Sequence, residues 1–188
     1  MPSRVPAEVR ENLERVRLLV LDVDGVLTDG SLIYSADGEV FKQFSARDGL
    51  GIRLLLQAGI QVAIITGRSS EAVRSRCQDL GIRSDLIILG SVDKGADLDR
   101  IESLLYIRDR LEIAAMGDDL PDLPLLARAG FATCPADAAP EVAAASDLVC
   151  GAEGGRGAVR ELAELILKSQ HKWLEQIDGW LTPGMQRR

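Results

Sequence analysis

The chain has 188 residues, a length that favours one domain over two and is enough to bury a sizeable core. At 46% hydrophobic and 27% charged it fits neither a disordered nor a fibrous class. With 22 Lys and Arg against 29 Asp and Glu the net charge is −7, which disfavours broad contact with nucleic acid or anionic lipid. An anionic ligand would need positive charge concentrated locally. Cys77, Cys134 and Cys150 are odd in number and form no CxxC pair, so a reducing cytoplasm is expected rather than a disulfide framework or a zinc knot. The N-terminus carries charges throughout, and no run nears the ~18 apolar residues of a membrane span, so the chain reads as soluble and cytoplasmic.

In chain order, residues 6–15 read as a short amphipathic helix, with Val9, Leu13 and Val16 at helical spacing. Residues 17–23 are a near-continuous apolar run ended by an Asp/Gly cluster, the form of a strand buried on both faces of a parallel sheet. Residues 32–34 and 39–44 then flank Asp37-Gly38, a hairpin turn signal. This hairpin should project from the carboxyl end of the first strand, where open α/β sheets place their ligands. The buried-strand form returns at residues 61–65, 85–89, 112–116 and 146–150. Between these runs, Val73, Cys77 and Leu80, then Leu98, Ile101 and Leu105, recur at helical spacing. Val159, Leu162, Ala163, Ile166 and Leu167 make the clearest apolar stripe. Strand–helix alternation of this kind predicts an α/β fold with a doubly wound parallel sheet, in one domain over residues 1–169. Residues 170–188 hold Trp173, Trp180 and Pro183 without a sustained period, and read as a tail that needs a partner surface to become ordered.

Four places carry chemistry. In residues 22–30, DVDGVLTDG, Asp22 and Asp24 leave a strand on the same side, and adjacent carboxylates repel unless a cation sits between them. A calcium loop counted from Asp22 would need glycine and glutamate where Leu27 and Ile33 stand. In residues 64–68, IITGR, the Thr66 hydroxyl and the following amides suit phosphate oxygens, or a plain helix cap. Lys94 alone would pass for a solvated surface charge. Residues 116–122, MGDDLPD, place three carboxylates within five residues, which fits a magnesium site or an acidic helix start. Each of the four follows a predicted strand, so all converge on one edge of one sheet.

These segments, in this order, resemble the four motifs of the haloacid dehalogenase superfamily. Across residues 17–169 the resemblance extends to its small lidless members, the 3-deoxy-D-manno-octulosonate 8-phosphate phosphatases of lipopolysaccharide synthesis. Its further marks are the hairpin, residues 44–49 (FSARDG) with Gly51-Ile52-Arg53, and residues 154–161 (GGRGAVRE). The resemblance implies a Rossmann-like core without a cap domain and a Mg²⁺-dependent phosphomonoesterase working through an aspartyl phosphate. It implies that Asp22 attacks phosphorus and that Asp24 protonates the leaving oxygen, then activates water. Asp22 and Asp118 would bind Mg²⁺ by carboxylate and Asp24 by its backbone carbonyl, with Asp119 behind them. Thr66 and Lys94 would hold the phosphoryl oxygens. Arg53, Arg68, Arg76 and the loop Ser45, Ala46, Arg47, Asp48 and Gly49 would hold a small sugar acid phosphate. Asp93 departs from the Asn usual in these enzymes, and the tail past Gln170 is long for them.

The physics agrees with those roles. A phosphomonoester dianion repels a carboxylate nucleophile, so a cation and Lys94 must neutralise it before attack. Only 27 residues separate Thr66 from Lys94, which leaves no room there for a lid. The hairpin residues Leu32, Ile33, Tyr34, Val40, Phe41 and Phe44 form an apolar surface too large for a hairpin standing alone. A homotetramer packed through its hairpins, with the tail reaching an adjacent site, is the arrangement the resemblance implies. Two other readings stay open at this point: the same chemistry on a nine-carbon sialic acid 9-phosphate, and a phosphoacceptor signalling domain of response-regulator type. The second would need an Asp at the tip of the third strand, where Leu89-Gly90 stands. A dinucleotide site is weaker, because Arg160 fills the place of the third glycine after Gly155-Arg156-Gly157.

Overall fold

A computed structural model of the chain describes residues 7–36 and 38–181. Asp37 of the predicted turn, Pro183, and the side chains of Val40 and Trp180 lie outside the described residues. Six parallel strands form one sheet in the order β5-β4-β1-β6-β7-β8. Strand β1 (Leu18–Leu21) runs between β4 (Gln61–Thr66) and β6 (Ile113–Met116), with Leu18 level with both Gln61 and Ile113. Every residue of β1 is fully buried, as its unbroken apolar run demands. Beyond β4 lies β5 (Ile87–Leu89), the edge strand on that side. The chain builds outward from β1 through β4 to β5, then returns to β6, so the order reverses beside β1. A doubly wound sheet binds its ligand at such a reversal, beyond the carboxyl ends of the strands.

The sequence reading expected five strands in this sheet and missed the sixth, β7 (Phe131–Cys134), which lies between β6 and β8 (Leu148–Val149). β7 has four residues squeezed between Gly130 and Pro135, too short to show a period. The predicted hairpin is present: β2 (Ile33–Ser35) pairs antiparallel with β3 (Gly38–Phe41) as a separate two-stranded sheet. Leu32, Ile33, Tyr34 and Phe41 are exposed, Tyr34 at 59% and Phe41 at 53%, whereas Phe44 turns inward against the core.

Helix α1 (Ala7–Glu14) and helix α2 (Ala46–Gln57) both pack on α7 (Ala158–Ser169). Asp48 explains how α2 and α7 lock together. Its buried carboxylate accepts from the amides of Gly157 (3.1 Å) and Arg160 (2.8 Å), at the α7 N-terminus where the helix dipole favours negative charge. Helix α3 (Glu71–Leu80) follows β4, and α4 (Lys94–Leu105) packs on β4 and on the short α5 (Leu123–Leu126). A further short helix, α6 (Pro140–Ala144), leads to β8.

The expectation of an unordered tail is corrected over its first half. Trp173–Leu181 forms a helix, α8. Gln170 Nε2 donates to Val16 O (2.7 Å) and Leu13 O (3.2 Å), and Lys172 Nζ donates to Ala58 O (3.1 Å). The Trp173 ring packs on the core between Lys168 and Arg160, whose cations lie 5.0 and 5.5 Å from its centroid. Trp173 and Ile177, four residues apart, sit with Leu50 and Leu54 around one small apolar pocket. Two anchor positions are too few to register as a period in sequence. No helix of the described residues is long and apolar enough to cross a membrane.

Candidate active site

Asp22 follows β1, Thr66 ends β4, Lys94 opens α4 just after β5, and Asp118, Asp119 and Asp122 follow β6. All six line one open cleft of about 720 Å³, together with Asp24, Arg68 and Arg128. The four predicted segments therefore do meet at one edge of the sheet.

The floor of the cleft is a buried charge cluster. Lys94 Nζ donates to Asp22 Oδ1 at 2.7 Å and also to Asp122 Oδ1, and all three side chains are at most 8% exposed. Asp122 Oδ2 accepts in turn from the amides of Asp118 (2.9 Å) and Asp119 (3.3 Å), which fixes the loop after β6. The sequence counts Asp122 among three acids that fit a magnesium site, without an individual role. Its signal was its place as the third acid of the GDDLPD segment, and burial could not be read there. Backbone space is also reserved for the cluster. A Cβ at Gly25, whose φ is +86°, would meet Asp118 Oδ2 at 1.9 Å, and one at Gly117 would meet the Asp122 Cβ at 2.3 Å.

Burial and crowding raise the proton affinity of two of these carboxylates. Burial, then the charge of Asp122, pushes Asp22 up to about 6 against the opposing pull of Lys94. Burial, then Asp22, Asp122 and Asp119, pushes Asp118 up to about 7. Burial alone would lower Lys94, but Asp22 and Asp122 outweigh it and hold the ammonium above its ordinary value. Asp22, Asp118 and Asp122 each offer an oxygen within 4.8 Å of the others, an all-oxygen set that suits a hard divalent cation. Mutual repulsion in this set is what such a cation would relieve, so the residues present fit Mg²⁺. The Asp24 carboxylate stands apart from the set, engaged by Lys42 Nζ at Oδ1 and by Arg68 Nε, 3.6 Å from Oδ2.

Around this floor, Thr66 is buried and its Oγ1 accepts from the Arg68 amide at 3.4 Å. Asp119 is exposed and caps the Leu120 amide (2.8 Å). Asp93, the departure from Asn, turns its carboxylate onto the Ala96 amide (3.0 Å) at the start of α4, where the helix dipole offsets its charge. Arg68 donates from Nη1 to Tyr34 Oη at 3.1 Å.

The other predicted substrate contacts do not line the cleft of their own chain. Arg53 donates to Asp79 O (2.7 Å), and Arg76 donates to Ser45 O (3.4 Å) while lying against Gly49. Ser45 caps α2 by accepting from the Asp48 amide, Ala46 and Arg47 are exposed, and Asp48 is committed to α7. Arg128, which the sequence reading passed over, does line the cleft.

The GGRGAVRE segment has a different role. The Gly155 amide donates to Val26 O (2.8 Å), and a Cβ on Gly154 would meet Gly25 O at 1.7 Å. Two backbones thus lie in direct contact, and residues 154–157 clamp the turn that carries Asp22 and Asp24.

Comparison with known proteins agrees with this geometry. The family model described as haloacid dehalogenase-like hydrolase matches residues 85–162. The 3-deoxy-D-manno-octulosonate 8-phosphate phosphatase of Haemophilus influenzae is 43% identical over 165 residues, covering 87% of this chain and 89% of that protein. The phosphatase of the same name from Escherichia coli is 43% identical over 176 residues, covering 93% and 91%. The crystal structure of 3-deoxy-D-manno-octulosonate 8-phosphate phosphatase from Moraxella catarrhalis, in complex with magnesium ion, phosphate ion and KDO, superposes with a TM-score of 0.87. It is 41% identical and covers 92% of this chain and 98% of that one. Neither the sialic acid reading nor the signalling-domain reading is favoured by these relatives. The chain belongs to the haloacid dehalogenase-like hydrolases, among the 3-deoxy-D-manno-octulosonate 8-phosphate phosphatases.

Proposed function

We propose that this chain is a Mg²⁺-dependent phosphatase of the cytoplasm that hydrolyses 3-deoxy-D-manno-octulosonate 8-phosphate to the free sugar acid and phosphate, as a step of lipopolysaccharide synthesis. The observation that carries this reading is the buried Asp22–Lys94–Asp122 cluster at the carboxyl edge of the sheet, with Asp118 beside it. Asp22 attacks phosphorus and becomes transiently phosphorylated, which splits one hard hydrolysis into two easier steps. Asp24 gives a proton to the departing sugar oxygen, then takes one from the water that attacks the aspartyl phosphate. Lys94 and Thr66 hold the phosphoryl oxygens in both steps. Held by Asp22, Asp118 and the Asp24 carbonyl, Mg²⁺ supplies the positive charge that lets a dianion approach a carboxylate. Asp119 and Asp122 keep those ligands in place, Asp122 by holding the backbone amides of residues 118 and 119.

The substrate's carboxylate pairs with Arg68, the predicted arginine that lines the cleft. Because Arg53 and Arg76 face away from their own cleft, a substrate role for them, or for Arg47, requires a neighbouring copy. A homotetramer assembled through the exposed apolar hairpins supplies that copy and covers a cleft that has no cap.

A panel of phosphosugars assayed with Mg²⁺, with Asp22→Asn as the blank, tests the reading. The eight-carbon sugar acid phosphate is expected to give the highest kcat/KM. A nine-carbon sugar acid 9-phosphate or a neutral hexose phosphate ranking above it would overturn the substrate.

A further inference from the structure

Lys42 belongs to none of the four motifs, yet it touches the acid–base residue. It stands just past β3, its side chain is 1% exposed, and its Nζ donates to Asp24 Oδ1. An ammonium persists in so buried a place only where counter-charge and hydrogen bonds hold it. The other Asp24 oxygen, Oδ2, has Arg68 Nε at 3.6 Å, and Arg68 is itself held by Tyr34 Oη at 3.1 Å. Tyr34 lies on β2. Both strands of the hairpin therefore reach the same carboxylate, one directly through Lys42 and the other through Tyr34 and Arg68. A hairpin needed only for assembly has no reason to send a buried cation to that residue.

A carboxylate on its own turns readily about its last torsion, whose wells are broad and two-fold. Proton transfer to a departing oxygen tolerates little such freedom, since misplacement of about 1 Å can cost about 10²-fold. We propose that Lys42 is a positioning residue for the proton transfers of Asp24: by occupying Oδ1 it fixes the carboxylate, so that Oδ2, which Arg68 Nε approaches only to 3.6 Å, is the oxygen that exchanges protons with the reactants. In the first step the bond from Asp22 to phosphorus forms as the bond to the sugar oxygen breaks, and the proton on Oδ2 passes to that oxygen. In the second step Oδ2 takes a proton from water as the water oxygen bonds to phosphorus and Asp22 is released. The inference rests on the acid–base role given to Asp24 above. It also makes the seat of the hairpin a condition of the chemistry.

The test compares two leaving groups. A sugar alkoxide needs its proton on departure, whereas p-nitrophenolate leaves without one. Lys42→Met, which keeps the length but removes the charge, should lower kcat on the sugar acid phosphate by about 10²-fold, the scale of lost acid–base catalysis, with KM changed by no more than about 3-fold. With p-nitrophenyl phosphate the same variant should release one equivalent of nitrophenolate per site at close to the wild-type rate. Turnover should then slow, because hydrolysis of the aspartyl phosphate still needs Asp24. Lys42→Arg should restore part of the lost kcat. Lys42→Gln serves the same comparison if Lys42→Met does not fold. Equal slowing of the first nitrophenolate turnover and of the sugar phosphate, or an unchanged kcat, would overturn the proposal. A wrong natural substrate shows itself separately, as wild-type enzyme that ignores the sugar acid phosphate, and the nitrophenolate burst still reads Lys42.

Discussion

The floor of the cleft and the hairpin above it are opposites. On the floor, Lys94, Asp22 and Asp122 are charged, buried and satisfied by one another. On the hairpin, Leu32, Ile33, Tyr34 and Phe41 are apolar and exposed among the described residues. Buried charges persist only when their partners are already in place, and these three find their partners within one chain. Exposed apolar patches on a two-stranded sheet call for a second surface, so the enclosure is not complete. In the proposed assembly, chemistry and shelter would belong to different levels of organisation, with Lys42 and the Tyr34–Arg68 contact as the links between them.

Substitutions at either region can break this contrast. The largest effect is expected at Asp22. Asp22→Asn keeps the shape and removes the attacking charge, so turnover should fall at least about 10³-fold in a chain that circular dichroism shows to be folded. Retention of a tenth of wild-type activity would place the nucleophile elsewhere. Next, a chelator should silence the wild type and Mg²⁺ should restore it. Asp118→Ala should stay inactive with added Mg²⁺ and give no binding heat in a calorimetric titration. Calcium should bind the wild type yet inhibit it, because its looser oxygen shell lets Asp22 chelate through both oxygens.

Asp122→Ala probes the floor as structure. Removing one partner of a buried pair typically costs 3–5 kcal/mol, and Lys94 keeps Asp22, so a loss of about 3 kcal/mol is expected in urea unfolding of chelated protein. An unchanged urea midpoint would mean that the cluster is looser than its geometry. On the hairpin the signs reverse. Ile33→Asp and Phe41→Asp should leave the stability of each chain within about 0.5 kcal/mol, as exposed sites usually do. They should nevertheless shift sedimentation towards monomer and reduce activity on the sugar phosphate. A wild-type protein that sediments as a fully active monomer would remove the contrast altogether.

The mildest test is pH. Folding raises Asp22 from 3.8 to about 6 and Asp118 from 3.8 to about 7, so the folded chain holds protons that the unfolded chain has already released. The stability this confers is present at low pH and is lost as pH rises through about 4 to 7. Chelated protein should therefore melt at a higher temperature at pH 5 than at pH 8. Mg²⁺ should narrow or invert that difference, since its binding requires these carboxylates without their protons.

Asp22, Lys94 and Asp118 were legible in the sequence because each follows an apolar run, and such runs announce buried parallel strands. β7 escaped because four residues carry no period, and α8 because its described grip on the core comes from Trp173 and Ile177 alone. Asp122 was visible as a letter, but its burial and its hold on the Asp118 and Asp119 amides come from the turn after β6. Arg53 and Arg76 show the converse limit. A residue type at a familiar spacing says nothing about which copy's cleft it faces, and the backbone carbonyls they bond are too distant in sequence to foresee.

The clamp of residues 154–157 also orders events in time. Asp22 and Asp24 leave the ribosome early, but the glycines that press on their turn come some 130 residues later, and α7, which Asp48 anchors, later still. Contacts between such distant segments form late in folding and rank among its slow steps. A nascent chain that has reached β8 already carries Asp22, Lys94, Asp118 and Asp122, and local bonds to Val23 O shape the first turn, but the Gly154–Gly155 contact has still to form. The last quarter of the chain is therefore expected to be needed before the turn after β1 takes its final packing.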